Sequence, residues 1–97
     1  MATFIVLGNF TDQGIRSIKE SPKRSDAFKA LAAKAGVKVK DIYWTLGHYD
    51  IVTVIEAPDT ATATSLGLAI ASLGNVRTET LTAFSAEEFG KILAKMP

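Results

Sequence analysis

Seven consecutive positions, Tyr43 to Tyr49, hold the chain's one Trp, its one His and both of its Tyr, and Asp50 follows them. These are side chains that can do chemistry. A carboxylate such as Asp50, at the mouth of an apolar pocket, can act as a general base once burial raises its pKa. The same carboxylate can instead accept hydrogen bonds from a hairpin, or from Thr45 and Thr11, and hold the end of a sheet together. Tyr49 can donate its hydroxyl to a ligand or a developing oxyanion, or plug a rim as an amphipathic ring. Trp44 can stack on a flat ligand, or fill a core or an interface. His48 and Asp50 stand two apart and, with a symmetry copy, could complete a metal site. One His per chain is thin material for that, and a surface imidazole is the plainer alternative, so no metal and no cofactor is expected.

A second polar group precedes them. Asn9, Thr11 and Gln13 suit either a ligand or the cap of a helix; capping accounts for Thr11 but not for Asn9. Lys19, Arg24 and Arg77 are the cations available to an anionic ligand. Lys19 fits a solvated helix face. Arg24 stands near a helix N-terminus, where the macrodipole disfavours a cation, and so is the stronger candidate. The candidate set is therefore Asp50 and Tyr49 for catalysis, with Asn9, Thr11, Trp44, His48 and Arg24 for ligand binding.

Bulk properties narrow the field. Ninety-seven residues make one domain, spanning 1–97. Eleven Lys and Arg stand against ten Asp and Glu, a balance that gives no electrostatic reason to expect nucleic acid or a membrane surface as partner. The absence of Cys excludes disulfides, thiolate nucleophiles and zinc–sulfur sites. No basic, cleavable leader is recognisable at the start, and no apolar run reaches 18 residues, so a cytoplasmic protein is expected. An apolar content of 47% is high for so short a chain. Small domains bury a small share of their surface, so self-association is expected.

The elements that must position these residues follow from periodicity. Thr3–Leu7 is a β-branched and aromatic run ending near Asn9, a strand. Thr11 or Asp12 can cap a helix carrying Ile15 and Ile18. Ser21-Pro22 reads as a helix restart, with Ser as N-cap and Pro first in the helix. Phe28, Leu31, Ala32 and Ala35 then form one helical stripe, stopped by Gly36. Ile42–Leu46 and Tyr49–Ala57 read as strands joined by a two-residue Gly47-His48 turn of the II′ kind. Asp59 caps a helix with Leu66, Ala69, Ile70 and Leu73 on one face, and Gly74 stops it. Val76–Phe84 is a Thr-rich last strand. Ser85 and Glu88 have capping-box spacing ahead of a tail helix striped with Phe89, Ile92, Leu93 and Met96.

The order βαββαβ plus a tail helix is the split βαβ plan of a ferredoxin-like α+β domain. Right-handed crossovers give an antiparallel sheet in the order 4-1-3-2, with both helices on one face. Strands 1 and 2 end where strands 3 and 4 begin, so the Trp44–Asp50 run, Asn9–Gln13, Asn75 and Arg77 converge on one end of the sheet. A two-residue turn pairs Trp44 with Ile51 and groups Trp44, Leu46, Tyr49 and Ile51 on one face, with Tyr43, Thr45, Asp50 and Val52 on the other. A sheet wet on one side alternates apolar and polar residues. Here Phe4–Leu7 and Ile51–Ile55 supply apolar groups to both sides, so the helix-free face needs a cover. A second copy is the expected cover; the alternative is the tail helix laid across it.

The run Trp44-Thr45-Leu46-Gly47-His48-Tyr49-Asp50, continued by Ile51-Val52 and closed by Glu56-Ala57-Pro58-Asp59, resembles the signature of the GYD-domain family. Gly47, Tyr49 and Asp50 supply its letters, and His48 fills a variable place. Thr11–Ile15 and Leu73–Thr80 resemble the same family, so the likeness covers nearly the whole chain. It implies a ferredoxin-like subunit of the dimeric α/β-barrel type and no particular activity.

Three functions remain. One is a small-molecule-binding homo-oligomeric barrel, with a pocket at the Asn9/Trp44/Tyr49/Asp50 end and a small aromatic or quinone-like ligand. Another is a structural or regulatory assembly module. The last is an enzyme, by analogy with the cofactor-independent oxygenases and isomerases that share this architecture. RNA binding fails because the last strand has no basic-aromatic run.

Overall fold

A continuous β-branched and aromatic run sets the first strand, β1, over Ala2–Phe10. The computed structural model describes residues 1–97. After β1 come α1 (Asp12–Arg16), a 3-10 turn (Ile18–Glu20), α2 (Ser21–Lys34), β2 (Lys38–Trp44), β3 (Ile51–Ala57), α3 (Thr60–Ala71), β4 (Val76–Ala83) and α4 (Ala86–Leu93). The strands form one antiparallel sheet in the order 2-3-1-4, the expected ferredoxin-like plan. Three of the foreseen caps form. Thr11 accepts from the Gly14 N–H, Asp59 from the Thr62 N–H, and Ser85 exchanges both bonds of a capping box with Glu88. The backbone N–H groups hold the Asp59 and Glu88 carboxyls below the ordinary carboxylate range.

The core lies between the sheet and α2/α3. Phe4, Ile55 and Ala57 from the strands meet Ala32, Val37, Ala63 and Leu66. Register puts Val6, Gly8 and Phe10 on the same side as Phe4, and Trp44 and Ile42 on the same side as Ile51 and Thr53. Two helix stripes differ from expectation. On α2 the inward residues are Ser21, Phe28 and Ala32, while Leu31 and Ala35 face out. On α3, Ala63, Leu66 and Ile70 turn inward and Ala69 does not, while Leu73, just past the helix end, is largely exposed but lines the cavity on the inner side. Ser21 explains the first rotation. The 3-10 turn runs straight into α2, so the Ser21 N–H already bonds to Ile18 O and Ser21 is helical. It is therefore not the N-cap. Its buried hydroxyl accepts from Trp44 Nε1 at 2.9 Å instead, which turns this side of α2 to the sheet. Pro22 accordingly sits second in the helix, not first.

The other sheet face has no helix. It carries Ile5 and Leu7 of β1, Val52 and Val54 of β3, Leu81 of β4 and Tyr43 of β2, as the pairings Ile5↔Val54, Ile5↔Leu81, Leu7↔Val52 and Tyr43↔Val52 require. Helix α4 does not cover this face. It makes no substantial contact with any other element, and Phe89, Ile92, Leu93 and Met96 are all exposed. Only 11 of the 97 residues are buried, so much of the apolar side-chain surface is exposed in the single chain.

Candidate functional site

Residues 45–50 connect β2 to β3 as an irregular loop, not as the tight two-residue turn expected. The pairing Trp44↔Ile51 is as foreseen, and the Thr45 N–H still donates to Asp50 O at 2.8 Å. Beyond that pair the ladder stops: Thr45 Oγ1 donates to Tyr49 O, and Gly47 takes a φ of 117° that side-chain-bearing residues rarely adopt. Strand parity therefore does not run through the loop. Trp44 and Ile51 face the helices, whereas Tyr49 reaches Glu79, a residue in register with Leu7 on the open face. The grouping of Trp44, Leu46, Tyr49 and Ile51 on one face is corrected accordingly. Leu46 is fully exposed.

The end of β1 gathers the rest. Asp50 brackets it twice: its N–H donates to Gly8 O at 2.8 Å, and its Oδ2 accepts from the Phe10 N–H at 2.9 Å. The carboxylate thus closes the sheet end, through Phe10 and not through Thr45 or Thr11. Thr11 N–H donates to Asn75 O, and Thr11 Oγ1 donates to Gly74 O. Gln13 Nε2 donates to Leu73 O and to Asn75 Oδ1, both at 3.0 Å. Gly14 is buried against Asn75 with no room for a Cβ. The segments 11–15, 47–50 and 73–75, far apart in sequence, are one hydrogen-bonded junction around the exit of β1.

This junction separates the candidate residues into three places. Trp44 and Arg24 line a cavity of about 120 Å³ between the sheet and α2/α3, together with Phe10, Phe28 and Ile70. Asn9 and Thr11 line a shallow polar recess with Asp12, Gln13 and Arg77. Tyr49 lies on the open side, and its hydroxyl donates to Glu79 Oε2 at 2.7 Å. That hydrogen bond, and then the negative charge of Glu79, hold the Tyr49 phenol above its ordinary pKa, so Tyr49 is a donor at neutral pH and not a base. His48 is exposed in the loop. Lys19 is exposed on the 3-10 turn. Arg24 spans back to α1, with Nη1 donating to Ser17 O at 3.0 Å and Nη2 to Gly14 O at 3.3 Å.

Two partners escaped sequence reasoning. Ser21 suits a cap by its type and place in the sequence, but its hydroxyl accepts from Nε1 of the half-exposed Trp44. Glu79 alternates with Thr78 and Thr80, and only the three-dimensional path of the loop brings Tyr49 to it.

The structural role of Asp50 sets a first expectation. Asp50→Ala leaves the Phe10 N–H without its acceptor and should cost about 1.5–3 kcal/mol, the range for a hydrogen bond to a charged group. Urea unfolding measures it. A loss near zero would mean that the Asp50–Phe10 bond does not hold the junction.

Comparison with known proteins gives the chain a family and a relative. The family model described as GYD domain matches residues 4–93, which includes all three segments of the junction. A Thermus thermophilus protein named glutamine synthetase and cystathionine beta-lyase binding protein is 43% identical over 84 residues, covering 86% of this chain and 88% of the relative. No solved structure matches the chain. With its fold, its signature run and the segments that signature ties together all in place, the chain belongs to the GYD domain family.

Proposed function

We propose that the protein is a binding and assembly module. It pairs with a second copy through the open face of its sheet, forming the two-sheet α/β barrel, and uses α4 to engage partner enzymes. One observation carries this reading: the open sheet face and α4 each present a group of apolar side chains that no other element of the chain covers. The four-stranded sheet face bears the same residues on each copy, which suits an isologous pairing. Helix α4 is different. Eight residues are too few for a helix to be stable in water by itself, yet its stripe of Phe89, Ile92, Leu93 and Met96 has nothing to pack on. An amphipathic helix of this kind fits the groove of another protein. The name of the Thermus relative, a binder of glutamine synthetase and cystathionine β-lyase, supports enzymes as the partners.

The test uses purified glutamine synthetase and cystathionine β-lyase from the organism that encodes this chain. At least one should bind the immobilised chain saturably. The double variant Phe89→Ser/Ile92→Ser should weaken that binding by roughly tenfold or more, since each buried apolar side chain is worth about 1.5–3 kcal/mol. Its own sedimentation should not change. Binding of neither enzyme would overturn the enzyme-docking half of the proposal.

A second reading, a small-molecule-binding barrel, is favoured by the cavity beside Trp44. It is compatible with the first.

A further inference from the structure

We infer that the cavity between the sheet and α2/α3 is a binding site for a small carboxylate with one aromatic ring, its carboxylate held by Arg24. The inference rests on the cavity, and stands or falls separately from enzyme docking.

The cavity's walls are of two kinds. Phe10, Phe28, Trp44 and Ile70 make an apolar chamber. Its volume of about 120 Å³ is close to the roughly 150 Å³ at which an apolar protein cavity stays dry and accepts benzene. One six-membered ring is therefore the right size of body, and aromatic walls suit a planar one.

One basic residue, Arg24, stands in the lining of this otherwise apolar chamber. Arg24 lines the cavity and is half-buried, yet no carboxylate lies within salt-bridge distance of it. Its three hydrogen bonds go to Ser17 O, Ser17 Oγ and Gly14 O, all neutral acceptors. A guanidinium has five N–H donors, so two are free. Ser25 lines the same wall, and its hydroxyl has no partner in the protein. Ser21 accepts from Trp44 Nε1 and keeps its own proton to donate. Ser21, Arg24 and Ser25 stand at i, i+3 and i+4 on the first turns of α2, one patch of donors on one helix face.

A planar guanidinium matches a carboxylate in a two-bond fork, and the start of a helix adds favourable potential for an anion. A single cation suits one negative charge. A neutral hydrocarbon would fill the chamber and leave the donors idle, so the charged head is what discriminates.

The experiment titrates the full chain with phenylacetate and follows the indole N–H cross-peak in ¹⁵N NMR. The chain has one Trp, so that peak belongs to Trp44 without further assignment. A saturable shift is expected, with a Kd on the order of 1 mM for so small a ligand. Phenylacetamide, the uncharged counterpart, should bind about tenfold more weakly, as should phenylacetate to Arg24→Gln. Gly67→Leu provides a separate arm. Gly67 lines the cavity and a Cβ there meets nothing within 4 Å, so a larger side chain can be placed at this wall with Arg24 intact and should weaken the shift. Should Arg24→Gln fail to fold, the amide comparison and Gly67→Leu carry the test. No saturable shift would overturn the inference and leave Arg24 as the cap of α1. Equal binding of acid and amide would overturn the role of Arg24. Undiminished binding to Gly67→Leu would place the ligand outside the cavity, which also overturns it.

Discussion

On the proposed sheet-to-sheet pairing, Leu81→Arg should leave the protomer folded and raise the dissociation constant of the pair by at least about 10²-fold. Leu81 is 43% exposed in the isolated chain. It lies on the open face, in register with Ile5, which itself pairs with Val54 on the other side of β1. Its loss therefore removes little from the core. In a sheet-to-sheet pairing the same position sits among apolar neighbours, where an unpaired charge costs several kcal/mol. Symmetry installs the charge on both copies. At about 1.4 kcal/mol per factor of ten, a cost of roughly 3 kcal/mol already gives the stated change. Leu68→Arg is the control. Leu68 is more exposed, at 67%, but belongs to α3 on the opposite layer, so the dimer should tolerate it. Sedimentation equilibrium of the two variants separates them. An unaltered dimer in Leu81→Arg would move the interface elsewhere.

Gly14→Ala should destabilise the protomer by roughly 2–4 kcal/mol, the upper range for overpacking. A methyl at position 14 overlaps the backbone carbonyl of Asn75, and its carbon and Cα crowd the same space. Backbone cannot swing aside as a flexible side chain can. Relief requires α1 to lift from the α3–β4 loop, which stretches the Thr11–Gly74, Thr11–Asn75 and Gln13–Leu73 bonds together. For a domain of this size the midpoint of thermal unfolding should fall by about 10 °C or more. Gly90→Ala, in α4 with open space around it, should instead be neutral or stabilising by up to about 1 kcal/mol. Equal behaviour of the two alanines would contradict the close approach at Gly14.

That contrast shows what the sequence could and could not reveal. Apolar runs and period-3.6 stripes revealed every strand and both long helices, though β2 runs from Lys38 to Trp44 and not from Ile42 to Leu46, and the capping residues Thr11, Asp59 and Ser85 work through local geometry that the chain writes directly. The register Trp44↔Ile51 was legible for the same reason. Helix rotation was not. Leu31 and Ala35 fit an apolar stripe as well as Ser21 and Phe28 do, and only the Trp44–Ser21 bond across 23 positions decides between them. The faces of the β2–β3 loop were lost because alternation has meaning only where the ladder continues. Once it stopped at Trp44, Tyr49 was free to reach Glu79. The likeness of segments 11–15 and 73–80 to a family pattern gave no hint that they touch. In the folded chain Gly14, Gln13 and Asn75 make that contact specific.

Asp50 and Tyr49 illustrate how a signature can encode architecture. Each could serve proton transfer in isolation. In the folded chain the Asp50 carboxylate accepts from the Phe10 N–H, its backbone N–H donates to Gly8 O, and the Tyr49 hydroxyl donates to Glu79. What the junction leaves open lies to either side of it: the chamber beside Arg24 within the protomer, and the apolar sheet face outside it.

Sedimentation velocity of the wild-type chain across low to tens of micromolar concentration tests this account most directly. It predicts a species of twice the 10.4 kDa chain mass, or a larger assembly built from that pair, converted to a single chain by Leu81→Arg. A stable, non-aggregating species of one chain mass throughout that range would contradict it.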